Sequence, residues 1–98
     1  MAWNIILHRL VISEDFKKID QGNKQLILKA IHKKLSNAPE DYGTPLRGGY
    51  KGYWKLRVGD YRVIYRIVRD EIVVVVVKVG IRRDEKIYKE LIYRLRKL

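Results

Sequence analysis

The most constraining stretch of this chain is its middle, residues 53–79. Two alternating runs, YWKLRV and YRVIYRIV, are separated by Gly59-Asp60 alone. Two alternating runs joined by a two-residue glycine turn signal a β-hairpin, because such turns match the twist of paired strands. A two-residue loop allows one register: Val58 opposes Tyr61, Arg57 opposes Arg62 and Lys55 opposes Ile64. Opposed residues share a face and successive residues alternate between faces. Trp54, Leu56, Val58, Tyr61, Val63 and Tyr65 therefore form one face, the core face. Tyr53, Lys55, Arg57, Arg62, Ile64 and Arg66 form the other, a dense cationic face. A second turn at 69–71 leads to a third strand, 72–79. Its five consecutive valines, 73–77, suit a strand buried on both faces near the sheet centre. Gly80 is expected to end it.

The flanking segments supply helices. Residues 3–8 read as a short apolar strand. Ser13, followed by Glu14 and Asp15, is an expected N-cap of a helix running to Asp20. Gly22-Asn23 breaks that helix and Asn23 caps a second one. There Ile27, Leu28, Ile31 and Leu35 recur at helical spacing, with Lys24, Lys29, Lys33 and Lys34 mostly elsewhere. Residues 36–52, with Pro39, Pro45 and four glycines, read as a long loop, either functional or mobile. Asp84 is the expected cap of a last helix with an apolar stripe of Ile87, Leu91, Leu95 and Leu98. The predicted class is α+β in the order β-α-α-β-β-β-α. It is a small antiparallel-rich sheet with a helix hairpin on one face and a C-terminal helix. Residues 1–98 read as one domain.

Charge narrows the function. The chain carries 22 basic and 11 acidic side chains, a net +11, divided +3 over residues 1–49 and +8 over residues 50–98. Directly opposed like charges such as Arg57 and Arg62 destabilise a sheet by roughly 0.2–1 kcal/mol, so stability alone would not select them. An anion bridging them relieves the repulsion. The alternative is an ordinary solvated sheet face, although such a face usually mixes both signs. There is no cysteine, hence no disulfide scaffold, thiolate metal site or cysteine nucleophile. His8 and His32 are too few for a histidine metal centre and read as structural or surface residues. No phosphate-cradling glycine loop and no paired carboxylates are apparent, so no metal and no cofactor are expected. No apolar run can span a bilayer and no secretory signal is present. A cytoplasmic domain with an anionic partner and no membrane role is the expectation.

One chemistry suits these residues. Lys55, set among arginines, can serve as a base or simply as a charge stabiliser. Arginines can stabilise a pentacovalent phosphate and neutralise a leaving oxygen. RNA brings its own nucleophile, the 2′-hydroxyl, so a metal-free Lys/Arg/Tyr site can cut RNA by internal transesterification if it holds the groups in line. Beyond the meander, Arg82 and Arg83 extend the basic surface. Tyr88, off the apolar stripe of the last helix, is either a half-buried rim residue or a stacking platform for a base.

The chain resembles the RelE/ParE superfamily of bacterial and archaeal toxins, on the RelE side. The likeness spans nearly the whole length. It rests on Leu46-Arg47-Gly48, on Lys55-Leu56-Arg57 with Tyr61-Arg62 and Tyr65 after it, on the valine strand ending in Val79-Gly80, and on Arg82 followed by Tyr88. The resemblance implies a ribosome-dependent endoribonuclease that cuts mRNA in the decoding site. It implies neutralisation by a cognate RelB-like antitoxin, which wraps the toxin, and contact with promoter DNA only through the toxin–antitoxin complex. It matches Lys55 to the charge-stabilising lysine, Arg62 to the transition-state arginine, Arg82 to the donor for the leaving 5′-oxygen, Tyr88 to the base-stacking aromatic and Arg47 to the loop arginine. The family's other lysine, often drawn as the general base, falls at Tyr53; Lys51 or Tyr53 itself could take that role. Arg57, Arg66 and Arg83 complete the expected RNA-binding set. Two other functions compete: a ParE-like DNA gyrase inhibitor without ribonuclease activity, and a basic nucleic-acid-binding module without catalysis. Lys55, Arg62, Arg82 and Tyr88 argue against the gyrase inhibitor, since that branch generally lacks them.

Overall fold

The computed structural model describes residues 2–81 and 86–97. Five strands form one sheet: β1 (Asn4–Leu7), β2 (Thr44–Pro45), β3 (Tyr53–Val58), β4 (Tyr61–Val68) and β5 (Val73–Ile81), in the order β1-β5-β4-β3-β2. β1 runs parallel to β5 and the other pairs are antiparallel. The hairpin has the predicted register, with Arg57 facing Arg62 and Lys55 facing Ile64. The valine strand lies between β1 and β4 and is buried on both faces for most of its length.

Two details of β5 differ from expectation. Ile64 opposes Lys78 while Tyr65 opposes Val76, so Val77 is an extra residue and the facing pattern flips there. Val74 and Val76 before the bulge, and Val79 after it, consequently join the same core. Gly80 does not end the strand. A Cβ at that position would meet the Ile87 side chain at 3.2 Å, so glycine lets the C-terminal helix pack closely on strand backbone.

The main core lies between the sheet and the N-terminal helical segments. Val11–Asp15 forms a wide π-type turn and Phe16–Lys18 a 3₁₀ turn. Ser13 lies inside this segment and caps nothing. Asp20, not Asn23, caps helix α1 (Gln21–Ala30): its carboxylate accepts the Asn23 backbone N–H at 3.2 Å and the Asn23 side-chain amide at 2.7 Å. Those bonds hold the Asp20 carboxyl below its usual value. Gly22-Asn23 is therefore a first turn rather than a break. The helix runs on through a π-type turn, Ile31–Leu35. Ile27, Ile31 and Leu35 pack with Val11 and Phe16 against Leu56, Val63 and Tyr65.

The 36–52 segment is structured, contrary to the long-loop expectation. It contains helix α2 (Pro39–Tyr42), β2 and a 3₁₀ turn at Gly48–Tyr50. Proline at the start of α2 has the fixed φ that a first helical turn requires. The buried Tyr65 hydroxyl donates to the Pro39 carbonyl at 2.6 Å. Burial pushes the Tyr65 phenol well above its usual value, which keeps it a donor.

Helix α3 (Lys86–Lys97) packs on the opposite face of the sheet. Ile87 and Leu91 sit on Ile64 and Val77, with Tyr53, Val75 and Leu95 around them. The cationic face is thus not one open surface: Ile64 is fully buried and Tyr53 half-buried. The apolar stripe of α3 needs a partner, and the first face is already filled by the N-terminal helices. Asp84, the expected cap, and Leu98 lie outside the described residues.

A buried ionic cluster ties these layers together. β1 stops at Leu7, so β5 is left unpaired on that side beyond Val76. The Asp15 carboxylate accepts the Val79 N–H at 2.9 Å and the Lys78 ammonium at 2.9 Å. Arg94 of α3 forks onto the same carboxylate at 2.8 and 2.9 Å and donates to the Val77 carbonyl at 3.2 Å. Lys78 also reaches Glu90 of α3 at 2.6 Å. An open strand edge and three buried charges are thereby satisfied at once. Among the described residues, no helix is long and apolar enough to cross a membrane.

Candidate nucleic-acid interface

The hairpin projects Lys55 and Arg57 from β3 and Arg62 from β4 on the side of the sheet that α3 only partly covers. β2 runs beside β3, with Thr44 opposite Lys55. It draws the 39–50 segment along these cations. Two adjoining clefts result. The larger, about 470 Å³, lies between Lys55, Arg47, Tyr50 and Tyr88. The smaller, about 280 Å³, lies between Lys55, Arg57, Arg62 and Tyr42. Thr44 and Lys55 line both, and no described lining residue of either is acidic.

Arg62 links the two clefts. Its guanidinium donates to the Tyr88 hydroxyl and lies 5.5 Å from the centre of the Tyr88 ring. The Tyr50 ring stands 5.7 Å from that of Tyr88 at an interplanar angle of 51°. Lys55, Arg57 and Arg62 have no carboxylate within ion-pair distance among the described residues. Close cations beside tilted aromatic rings make an arrangement that takes a phosphate and stacks a base. Among the described residues, no three His, Asp or Glu side chains converge to hold a metal ion.

Of the sequence candidates, Lys55, Arg62 and Tyr88 meet here, with Arg47 lining the larger cleft and Arg57 the smaller. Lys51, Tyr53 and Arg66 line neither. Lys51 is exposed just after the Gly48–Tyr50 turn, and Arg66 is exposed opposite Tyr53. The Tyr53 side chain packs against the core beneath α3. Arg82 and Arg83 lie outside the described residues. His8 is half-buried, its Nδ1 accepting the Leu10 N–H at 3.2 Å, and desolvation holds its imidazole below the ordinary histidine value. Tyr42 and Tyr50 were not among the sequence candidates. Their signal was an aromatic within a Gly/Pro-rich connection beside a basic strand, a frequent position for binding residues.

Comparison with known proteins adds to this geometry. Residues 5–86 match the family model described as the ParE toxin of type II toxin–antitoxin systems, parDE. The chain is 29% identical over 84 residues to a putative RelE-like toxin protein of Escherichia coli, covering 85% of this chain and 87% of that protein. It is 28% identical over 83 residues to the mRNA interferase toxin RelE of E. coli K12, covering 84% and 86%. Its fold is similar to a chain of the toxin–antitoxin complex RelBE2 from Mycobacterium tuberculosis. That match has a TM-score of 0.79 and 26% identity, over 86% of this chain and 95% of the other.

Proposed function

Since the chain belongs to the ParE toxin family of type II toxin–antitoxin systems, within the RelE/ParE superfamily, we propose that this RelE-like toxin is an endoribonuclease that cuts mRNA on the ribosome. The observation that supports it best is the meeting of Lys55, Arg62 and Tyr88 around a cleft that no described acid lines. The 2′-hydroxyl attacks the adjacent phosphorus and the bond to the 5′-oxygen breaks, leaving a cyclic phosphate and a 5′-hydroxyl. Lys55 is the only amine among the described lining residues of the two clefts. As ammonium it stabilises the phosphate charge while solvent water takes the 2′-hydroxyl proton, or as neutral amine it receives that proton itself. Arg62 leaves Tyr88 and turns to the pentacovalent phosphate, and Tyr88 then stacks on a substrate base. Arg82 keeps the role the resemblance implies, protonating the leaving oxygen.

A RelB-like antitoxin holds the toxin inactive in the cytoplasm; the likeness to a chain of the RelBE2 toxin–antitoxin complex supports the pairing. An acidic partner suits a chain of net charge +11. Promoter DNA is met only through that complex. Replacing Lys55 or Arg62 with Ala should lower mRNA cleavage by about 10²–10³-fold and relieve growth arrest, with the fold retained. Mapping mRNA 5′ ends after brief induction reads this directly; full toxicity of both variants would remove the catalytic assignment. The family model is the ParE one, which favours a second reading as a gyrase inhibitor. Intact mRNA with stalled gyrase in the same experiment would establish that reading instead.

A further inference from the structure

We propose that Tyr42 is the platform for a second base, so that the bases on both sides of the phosphate are stacked rather than one alone. This rests on the RNA reading above and extends it. One nucleotide lies at the Tyr50/Tyr88 end and the other at the Tyr42 end, with the phosphate between them over Lys55 and Arg62.

Two observations and one general rule carry it. The two clefts adjoin, with Lys55 and Thr44 lining both, so a cation lies where they meet and an aromatic lines each of them. Tyr42 is 54% exposed although it lies on a segment whose Pro39 is fully buried. Its ring is therefore not there to fill a core. Alternating aromatic rings and cations is the arrangement that binds single-stranded nucleic acid, the rings taking bases and the cations the backbone.

The position of Tyr42 is also held. A four-residue helix has no stability of its own, and α2 is fastened from three sides. The Tyr65 hydroxyl holds the Pro39 carbonyl from the core. Arg69 bonds Glu40 at the surface. Gly43 lies so close to the sheet that a Cβ there would stand 1.7 Å from the Tyr65 hydroxyl and 3.0 Å from the Lys55 carbonyl. That contact sets the ring next to Lys55. The Lys34 ammonium lies 5.8 Å from the ring centre of Tyr42, where it steadies the ring and adds a cation for the outer phosphate.

The test is the affinity of the purified protein for a 2′-O-methyl RNA tetranucleotide, which cannot be cut because its nucleophile is blocked. Binding is followed by NMR titration, and folding of each variant is checked by its spectrum. Tyr42→Ala should weaken binding about tenfold or more, and Tyr42→Phe, which keeps the ring, should bind like the unmodified chain. The proposal is overturned if Tyr42→Ala binds the oligomer as tightly as the unmodified chain, or if the unmodified chain does not bind it. Equal loss toward an oligoglutamate peptide would also overturn it, since a peptide offers no bases to stack. Tyr42-dependent binding in a chain that leaves ribosomal mRNA intact would remove the nuclease reading and keep the subsite.

Discussion

Gly43 and Tyr65 form a pair whose two functions meet at one point. The Tyr65 ring lies in the main core while its hydroxyl reaches through to the Pro39 carbonyl. The hydroxyl can make that bond only because no side chain occupies the space at Gly43. Gly43 has an ordinary extended backbone, φ −101°, so its constraint is steric rather than conformational. Gly43→Ala should cost about 1–3 kcal/mol from overpacking. Tyr65→Phe should cost about 1–3 kcal/mol by leaving a buried carbonyl unpaired. The double variant, lacking the hydroxyl that clashes, should be less destabilised than the sum. Urea unfolding of the four proteins checks this; strict additivity would mean that the two residues do not share a contact.

At the scale of elements, the question is what fastens α3. Its apolar stripe covers Ile64 and Val77, but Arg94 and Glu90 add a polar fastening to β5 and to the N-terminal segment through Asp15 and Lys78. Tyr88 lies on this helix between those anchors and the cleft, so the docking of α3 sets where the aromatic meets Arg62. Asp15→Ala would leave Lys78 and Arg94 buried without their shared counter-charge and strip the Val79 N–H of its acceptor. The expected loss is about 3–5 kcal/mol, read by chemical denaturation. Near-wild-type stability would show that Glu14 and Glu90 compensate fully. The same geometry accounts for the single lysine in the valine strand: its partner comes from a helical turn 63 residues earlier.

For the whole molecule, the net charge becomes a directed property. Helices cover one face of the sheet and part of the other, and the β2–β3 side remains for the cleft. Arg47, Lys55, Arg57 and Arg62 line it. With Lys55 and Arg62 on one shared phosphate and Arg47 and Arg57 on one each, binding of a single-stranded oligomer should fall with salt with a log–log slope of about −2, from roughly −0.7 per phosphate. Arg57→Ala should reduce that slope by about 0.7. Titration at several salt concentrations measures both, and a slope unchanged by Arg57→Ala would take that residue out of the contact.

The sequence by itself determined the hairpin. Gly59-Asp60 permits one register, so the pairing of Arg57 with Arg62 and of Lys55 with Ile64 could be read from spacing alone. It determined the helical stripes too, because Ile27, Ile31, Leu35, Ile87 and Leu91 follow the helix period. Only the tertiary structure decided the rest. Periodicity says that α3 has an apolar face but not which sheet face it covers, so the burial of Ile64 and Tyr53 was not visible. The bulge at Val77 flips parity without a mark in a run of identical residues. The Asp15–Lys78–Arg94 cluster joins residues up to 79 apart, and nothing local encodes such a meeting. The 39–50 segment looked like a loop because its order comes from contacts with Tyr65 and β3 rather than from propensity. That is why Tyr42 and Tyr50 entered the cleft only when the chain was folded: alternation and capping are local rules, whereas a cleft is made by which surfaces are left once the apolar ones have paired.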